Sequence, residues 1–237
     1  MQLYPVPENL LLRAIARTKP TAAAKLEHVV FEAGQELWRA GDTSPYAFFP
    51  IRGAISLQVT PSPGKHVEIA MVGPEGFAGV ALALGDGVTR ATAVALSPGE
   101  AVVAPREVFR RWLTTPQFRN AVERYNALFV ALISNILACS RVHVLEKVCV
   151  GRLLQIQDRT HNETVHLTQD TFARHLGVRR ASVSRAVAGL QRSGAIAYDR
   201  RGRVTITDRR HLEKLACPCY QRIKAGFDEH VGQQGGF

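Results

Sequence analysis

Eight arginines fall between residues 174 and 203: Arg174, Arg179, Arg180, Arg185, Arg192, Arg200, Arg201 and Arg203. The same stretch holds one acid, Asp199. A guanidinium is a planar fork of donors that matches phosphate oxygens and the O6/N7 edge of guanine. A merely solvated face would mix in lysines and interleave acids. The grouping therefore points to a polyanion met by one surface. A second group is Cys217-Pro218-Cys219, whose paired thiols suit a thiol switch or a soft metal ion. A third is His66-Val67-Glu68, the nearest approach to the His and Glu cluster of a metal-dependent β-barrel enzyme of cupin type; no His-x-His accompanies it. No Ser-His-Asp set, P-loop or dinucleotide fingerprint is present, so an enzyme is not expected.

The charge is uneven along the chain. Lys+Arg is 30 against Asp+Glu 20, a net +10 over 237 residues. Residues 1–145 carry 14 basic and 11 acidic side chains, and residues 146–237 carry 16 and 9. The arginine-rich stretch alone thus accounts for most of the excess. Hydrophobic residues at 46 % and charged residues at 21 % exclude a disordered or collagenous chain. The first residues lack the apolar run of a secretory signal and read as a short helix after Pro7, with Leu11 and Ile15 on one face. The longest apolar run, Ala127–Cys139, is broken by Ser134 and Asn135; it reads as a buried helix rather than a membrane span. No membrane partner and a cytoplasmic location are expected. Four cysteines are too few for a disulfide scaffold, and no pair of C-x-x-C knuckles suggests a zinc ribbon. No cofactor and no metal are therefore expected, with Cys217 and Cys219 left as a thiol switch.

The elements that must position these groups follow from periodicity. Residues 22–108 read as all-β: short apolar runs (Val29–Phe31, Ala47–Ile51, Ala54–Val59, Val67–Val72, Ala91–Leu96, Ala101–Ala104) alternate with Gly- and Pro-rich turns. Such spacing suggests a barrel or sandwich. From residue 117 the period changes. Val122, Tyr125, Phe129, Leu132 and Ile136 recur at 3, 4, 3, 4, a heptad-like seam expected to form a dimer interface. A further helix over residues 144–158 carries Cys149 on its apolar face. Next, Thr168 caps a helix bearing Phe172 and Leu176, Gly177 makes a tight turn, and a second helix runs from about Arg179 to Arg192 with Val183, Val187 and Leu190 inward. Ile196–Tyr198 and Val204–Ile206 flank a turn with arginines at its tip. A helix-turn-helix with a β-wing places its second helix in the major groove. The candidate DNA-binding residues are Thr168, Gln169, Arg179, Arg180, Ser182, Ser184, Arg185, Arg200, Arg201 and Arg203.

The run Leu167-Thr168-Gln169 … Leu176-Gly177-Val178-Arg179-Arg180-Ala181-Ser182-Val183-Ser184-Arg185 resembles the helix-turn-helix of CRP/FNR bacterial transcription regulators, and Gly76-Phe77-Ala78-Gly79 followed by Arg90 is a weaker match to their sensor domain. The resemblance implies an α+β chain: a cyclic-nucleotide-binding-like β-roll with an N-terminal helix (residues 1–108), a long dimerisation helix (109–145) and a winged helix-turn-helix (146–237). It also implies a homodimer on an inverted-repeat, double-stranded operator, with RNA polymerase as a further partner. Gly79, Val80, Arg90 and Ala91 stand where the family holds an effector. Cyclic-nucleotide-binding members have a glutamate at the place of Val80 and Ser or Thr at that of Ala91, so a normal cyclic AMP receptor is not implied and the effector is left unidentified or absent. Glu75 lies near, five residues early. No cysteine precedes Cys139, which removes the iron–sulfur ligands of FNR-type members, and His28 and His66 are the histidines available to a haem-sensing role. At Ala181 the cyclic AMP receptors have a glutamate, so the operator should differ, with the Ala181 methyl suited to thymine.

Overall fold

The computed structural model describes residues 9–18 and 26–235. Helix α1 (Leu10–Thr18) is capped by Asn9, whose Oδ1 accepts from the N–H groups of Leu11 and Leu12 at 3.0 and 3.2 Å. The Asn9 Nδ2 donates to the carbonyls of Pro50 and Gly76, so the cap also fastens α1 to the domain beneath it.

That domain is a roll of two sheets. Strands β1 (Glu27–Phe31), β2 (Glu36–Trp38), β3 (Tyr46–Arg52), β4 (Ile55–Ser62), β5 (Lys65–Val72), β6 (Thr92–Ala95) and β7 (Gly99–Pro105) pair antiparallel in the orders β1-β7-β3 and β2-β6-β4-β5. Short helix α2 (Val80–Leu84) lies between β5 and β6. β2 and α2 escape the sequence reading, because three and five residues are too few for a period to show. Helix α3 (Arg106–Trp112) follows β7 and buries Phe109 and Trp112 in the roll. Residue 109, the expected start of the long helix, lies inside α3.

Helix α4 (Pro116–Val142) closes the roll. Phe49, Phe77, Phe109, Phe118 and Tyr125 form a contiguous aromatic core, with Phe77–Phe109 centroids at 5.2 Å and Phe77–Tyr125 at 5.4 Å. Gly76 makes this possible: a Cβ there would sit 1.9 Å from the Tyr125 ring.

The dimer seam needs correction. Val122, Tyr125, Phe129 and Leu132 are at most 8 % exposed and belong to the core of their own chain, and Ile136 packs against it half-buried. The roll and the C-terminal helix take this face, so a second copy cannot. The exposed face bears Ala127, Val130, Ser134 and Leu137, again at 3, 4, 3 spacing, with Val130 and Leu137 about 60 % exposed. The apolar run is therefore not a buried helix. α4 is long and apolar enough to cross a membrane by length and composition, yet its other face is packed into the roll.

Only His143 and Val144, both extended, separate α4 from α5 (Leu145–Thr160). Strand β8 (Thr164–His166), helices α6 (Gln169–Leu176) and α7 (Arg180–Arg192), strands β9 (Ile196–Tyr198) and β10 (Arg203–Ile206), and helices α8 (Arg209–Leu215) and α9 (Pro218–Gly235) complete the second domain. Its core gathers Cys149, Leu153, Phe172, Val183, Val187 and Leu190, as their spacing predicts. α9 returns to α4, placing Ile223 in the core of the roll.

Candidate nucleic-acid interface and its seat on the roll

Thr168 caps α6: its Oγ1 accepts from the Thr171 N–H at 3.1 Å. Asp170 adds negative charge to the first turn, where the helix dipole favours it. Gly177 ends the helix at φ +65°, a left-handed turn that a side chain would strain. α7 then starts with Arg179 at its N-cap. Val183, Val187 and Leu190 anchor α7, so Arg179, Arg180, Ala181 and Arg185 face solvent, and Ser182 and Ser184 flank them half-buried. Arg180 Nε lies 3.5 Å from Asp170, a surface pair that phosphate can displace at a cost of about 0–1 kcal/mol.

The wing is ordered by its single acid. Asp199 accepts from the N–H groups of Arg201 and Arg203 at 2.8 and 3.0 Å and from Arg203 Nε at 2.6 Å. Bonds from Arg203, backbone first and then side chain, hold the Asp199 carboxyl below the usual range. Arg203 thus shapes the turn, while Arg200 and Arg201 remain exposed at its tip. Thr168, Gln169, Arg180, Arg200 and Arg201 line one open cleft of about 490 Å³. Donors from three elements converge there at the scale of a phosphodiester backbone.

The structure also reveals charges that sequence reading missed. Arg152 and Arg159, two turns apart on α5, enter the roll and meet Glu68 of β5 and Glu75 of the loop after it. All four are at most 9 % exposed. Arg159 Nε donates to Glu75 Oε1 at 2.7 Å, and Arg152 contacts Glu68, which also accepts from Ser56 Oγ at 2.6 Å. Glu75 is therefore committed to the second domain and not to an effector. The seven-residue separation within each pair, 68 to 75 and 152 to 159, was the available signal.

Residues 28–115 match the family model of the cyclic nucleotide-binding domain, and residues 149–215 match the Crp-like helix-turn-helix domain. The two matches occupy about two thirds of the chain, in the order the geometry gives. The chain belongs to the CRP/FNR family of transcription regulators. Solved structures of similar fold include a CRP-family transcriptional regulator from Thermus thermophilus, 21 % identical over 79 % of this chain and 96 % of that one, with a TM-score of 0.66. FixK2 from Bradyrhizobium japonicum is 17 % identical over 81 % of this chain and 98 % of that one, with a TM-score of 0.65. The c-di-GMP-responsive global regulator CLP from Xanthomonas campestris is 14 % identical over 78 % and 95 %, with a TM-score of 0.60. No curated protein matches the chain by sequence.

Four positions of this CRP/FNR regulator, Gly79, Val80, Arg90 and Ala91, stand where the resemblance places an effector. Val80 supplies no carboxylate. The Arg90 side chain is 75 % exposed and lies 3.5 Å from Asp86. Gly79 (buried) and Ala91 (half-buried) add no polar side chain. His66 is exposed and bonded to Thr60 while Glu68 is buried with Arg152, so the two do not build an enzyme-like metal centre. His28 is also exposed.

His175 of α6 completes the seat of the DNA-binding domain. Its Nε2 lies 3.3 Å from Gln58 Nε2 and its Nδ1 lies 3.7 Å from Glu68. Burial, then the charges of Arg152 and Arg174, pull the imidazole down to about 3, so it is neutral at pH 7. Gln58 therefore donates to Nε2, and the Glu68 contact is that of a neutral ring. The unfolded chain takes up this proton near pH 6.5 and the folded chain only near 3. Stability is thus fully present above pH 6.5 and falls as the pH drops through that window. Between pH 7 and 5, urea melts should show wild type losing about 2 kcal/mol more than His175→Gln. Equal losses would remove His175 from the account.

Proposed function

We propose that the protein is a homodimeric regulator that binds an inverted-repeat operator through α7 and the wing, acting in the bacterial cytoplasm without catalytic activity. The carrying observation is the convergence of Thr168, Gln169, Arg180, Arg200 and Arg201 on one cleft beside the exposed face of α7. Arg185 lies within reach of base edges one turn further along, and Arg179, Ser182 and Ser184 suit phosphates. The mate for each chain is a second copy seated on Ala127, Val130, Ser134 and Leu137. The Ser134 and Ser140 hydroxyls bond back to the carbonyls of Val130 and Leu137, so this stripe presents few free donors to an apolar neighbour.

We read the roll as other than a normal cyclic AMP receptor, because Val80 and Ala91 stand where that chemistry needs a carboxylate and a hydroxyl. One protein of this fold answers to a different nucleotide, c-di-GMP, which supports an effector site of other chemistry here. RNA polymerase is the natural further partner of such a dimer on DNA. The test is Val130→Asp with Leu137→Asp. Light scattering should show a folded monomer, and affinity for an inverted repeat selected from random DNA should drop to that for a single half-site. A dimer that persists with full affinity overturns the assigned face.

A further inference from the structure

Four side chains with soft or borderline donors meet where the two domains join. Cys139 and His143 stand one turn apart at the C-terminal end of α4, and Cys217 and Cys219 flank Pro218 at the start of α9. Three thiol sulfurs and one imidazole nitrogen all lie within 4.8 Å of one another. The Cys139 and Cys217 sulfurs are 3.5 Å apart, and Cys219 Sγ is 3.8 Å from His143 Nδ1. A tetrahedral zinc ion, bound to sulfur at about 2.3 Å and nitrogen at about 2.0–2.1 Å, holds its ligand atoms roughly 3.5–3.8 Å apart. The cluster is already close to that size.

We propose that Cys139, His143, Cys217 and Cys219 bind one zinc-class divalent ion, which fastens the C-terminal helix of the DNA-binding domain to the end of the dimerisation helix. Four protein ligands with no open position make it a structural site rather than a hydrolytic one. Cys217 and Cys219 are buried and Cys139 and His143 half-buried, which shields the ion from exchange.

Two other uses of these thiols account for less. A Cys139–Cys217 disulfide requires the sulfurs to close to about 2.05 Å, and it leaves Cys219 and His143 converging for no reason. An iron–sulfur cluster spreads its four ligands over two or more irons, wider than the 4.8 Å within which these atoms lie. Cys149 provides an internal control, because it sits in the core of the second domain and outside the cluster.

The site bridges the His143–Val144 connector from both sides. It also shares a small cavity of about 50 Å³ with Glu68, Arg152 and His175. An ion here would therefore restrain the same joint as the buried charges do.

The test uses the full-length protein, loaded with Zn²⁺ or Co²⁺ under reducing conditions and desalted. One ion per chain is expected, and the Co²⁺ form should show thiolate charge-transfer absorption with the intense visible bands of a tetrahedral site. Losing a direct ligand should cost at least the roughly 10–100-fold in affinity that losing an outer partner costs. Cys139→Ser and Cys217→Ser should show that loss, while Cys149→Ser keeps one ion. His143→Cys should retain the ion with shifted bands, separating ligation from misfolding. Substoichiometric metal in the wild type, equal binding in Cys139→Ser, or a metal-free disulfide-linked chain isolated without reductant would each overturn the site. Metal content is read without DNA, so this result is independent of operator recognition.

Discussion

Arg180→Ala and Arg185→Ala are each expected to weaken operator binding by about 1–3 kcal/mol, roughly 5- to 150-fold, with the melting curve and the dimer unchanged. Both side chains are exposed on α7, whose inward face is set by Val183, Val187 and Leu190, so truncating them removes no core contact. The two should differ in kind. Arg180 shares its cleft with the wing arginines, so its loss should lower the salt slope by about one counterion and affect all sequences alike. Arg185, further along the exposed face, should relax the preference at one position of the half-site. Arg119→Ala on α4, remote from this surface, is the control. Fluorescence anisotropy with specific and scrambled duplexes over a salt series separates these outcomes. Unchanged specific affinity in both arginine variants would refute the assigned reading face.

The second large effect lies at the domain junction. Glu68→Ala leaves Arg152 buried without its carboxylate, and such an unpaired buried charge costs about 3–5 kcal/mol. Burial already pulls the Arg152 guanidinium below its ordinary range, with the charge of Arg159 acting in the same direction. Glu68→Leu combined with Arg152→Met removes both charges at similar volume and should recover most of the loss. A double-mutant cycle by chemical denaturation measures the coupling. A Glu68→Ala variant within about 1 kcal/mol of wild type would show that solvent reaches the pair.

Much of this architecture is legible in the chain because its signals are local. Thr168, Gly177 and the 183, 187, 190 spacing each declare a cap, a turn or an inward face within a few residues. The alternation of Ile55, Leu57 and Val59 with Ser56 and Gln58 marks the strand β4 but not its surroundings, because Ser56 and Gln58 are buried too, against Glu68 and His175. What was not legible is tertiary. The 122, 125, 129, 132, 136 spacing correctly marks an apolar face of α4, yet periodicity cannot tell whether that face meets its own roll or a second copy. Here the roll and α9 claim it, and the weaker stripe of Ala127, Val130, Ser134 and Leu137 is left outside. Glu68, Glu75, Arg152 and Arg159 look like ordinary surface charges until β5 and α5 are brought together. His143 is one turn from Cys139 in sequence, but its link to Cys217 and Cys219 exists only once α9 folds back.

The brevity of the link between α4 and α5 bears on the DNA itself. Two extended residues, His143 and Val144, leave each reading helix little room to swing relative to the helix that would join the two chains. Inserting one base pair between half-sites rotates the far half by roughly 35° about the duplex axis. A tether this short cannot follow that turn. The regulator should thus discriminate among targets by the number of bases it never touches, accepting one spacer length and rejecting its neighbours even where both half-sites are intact.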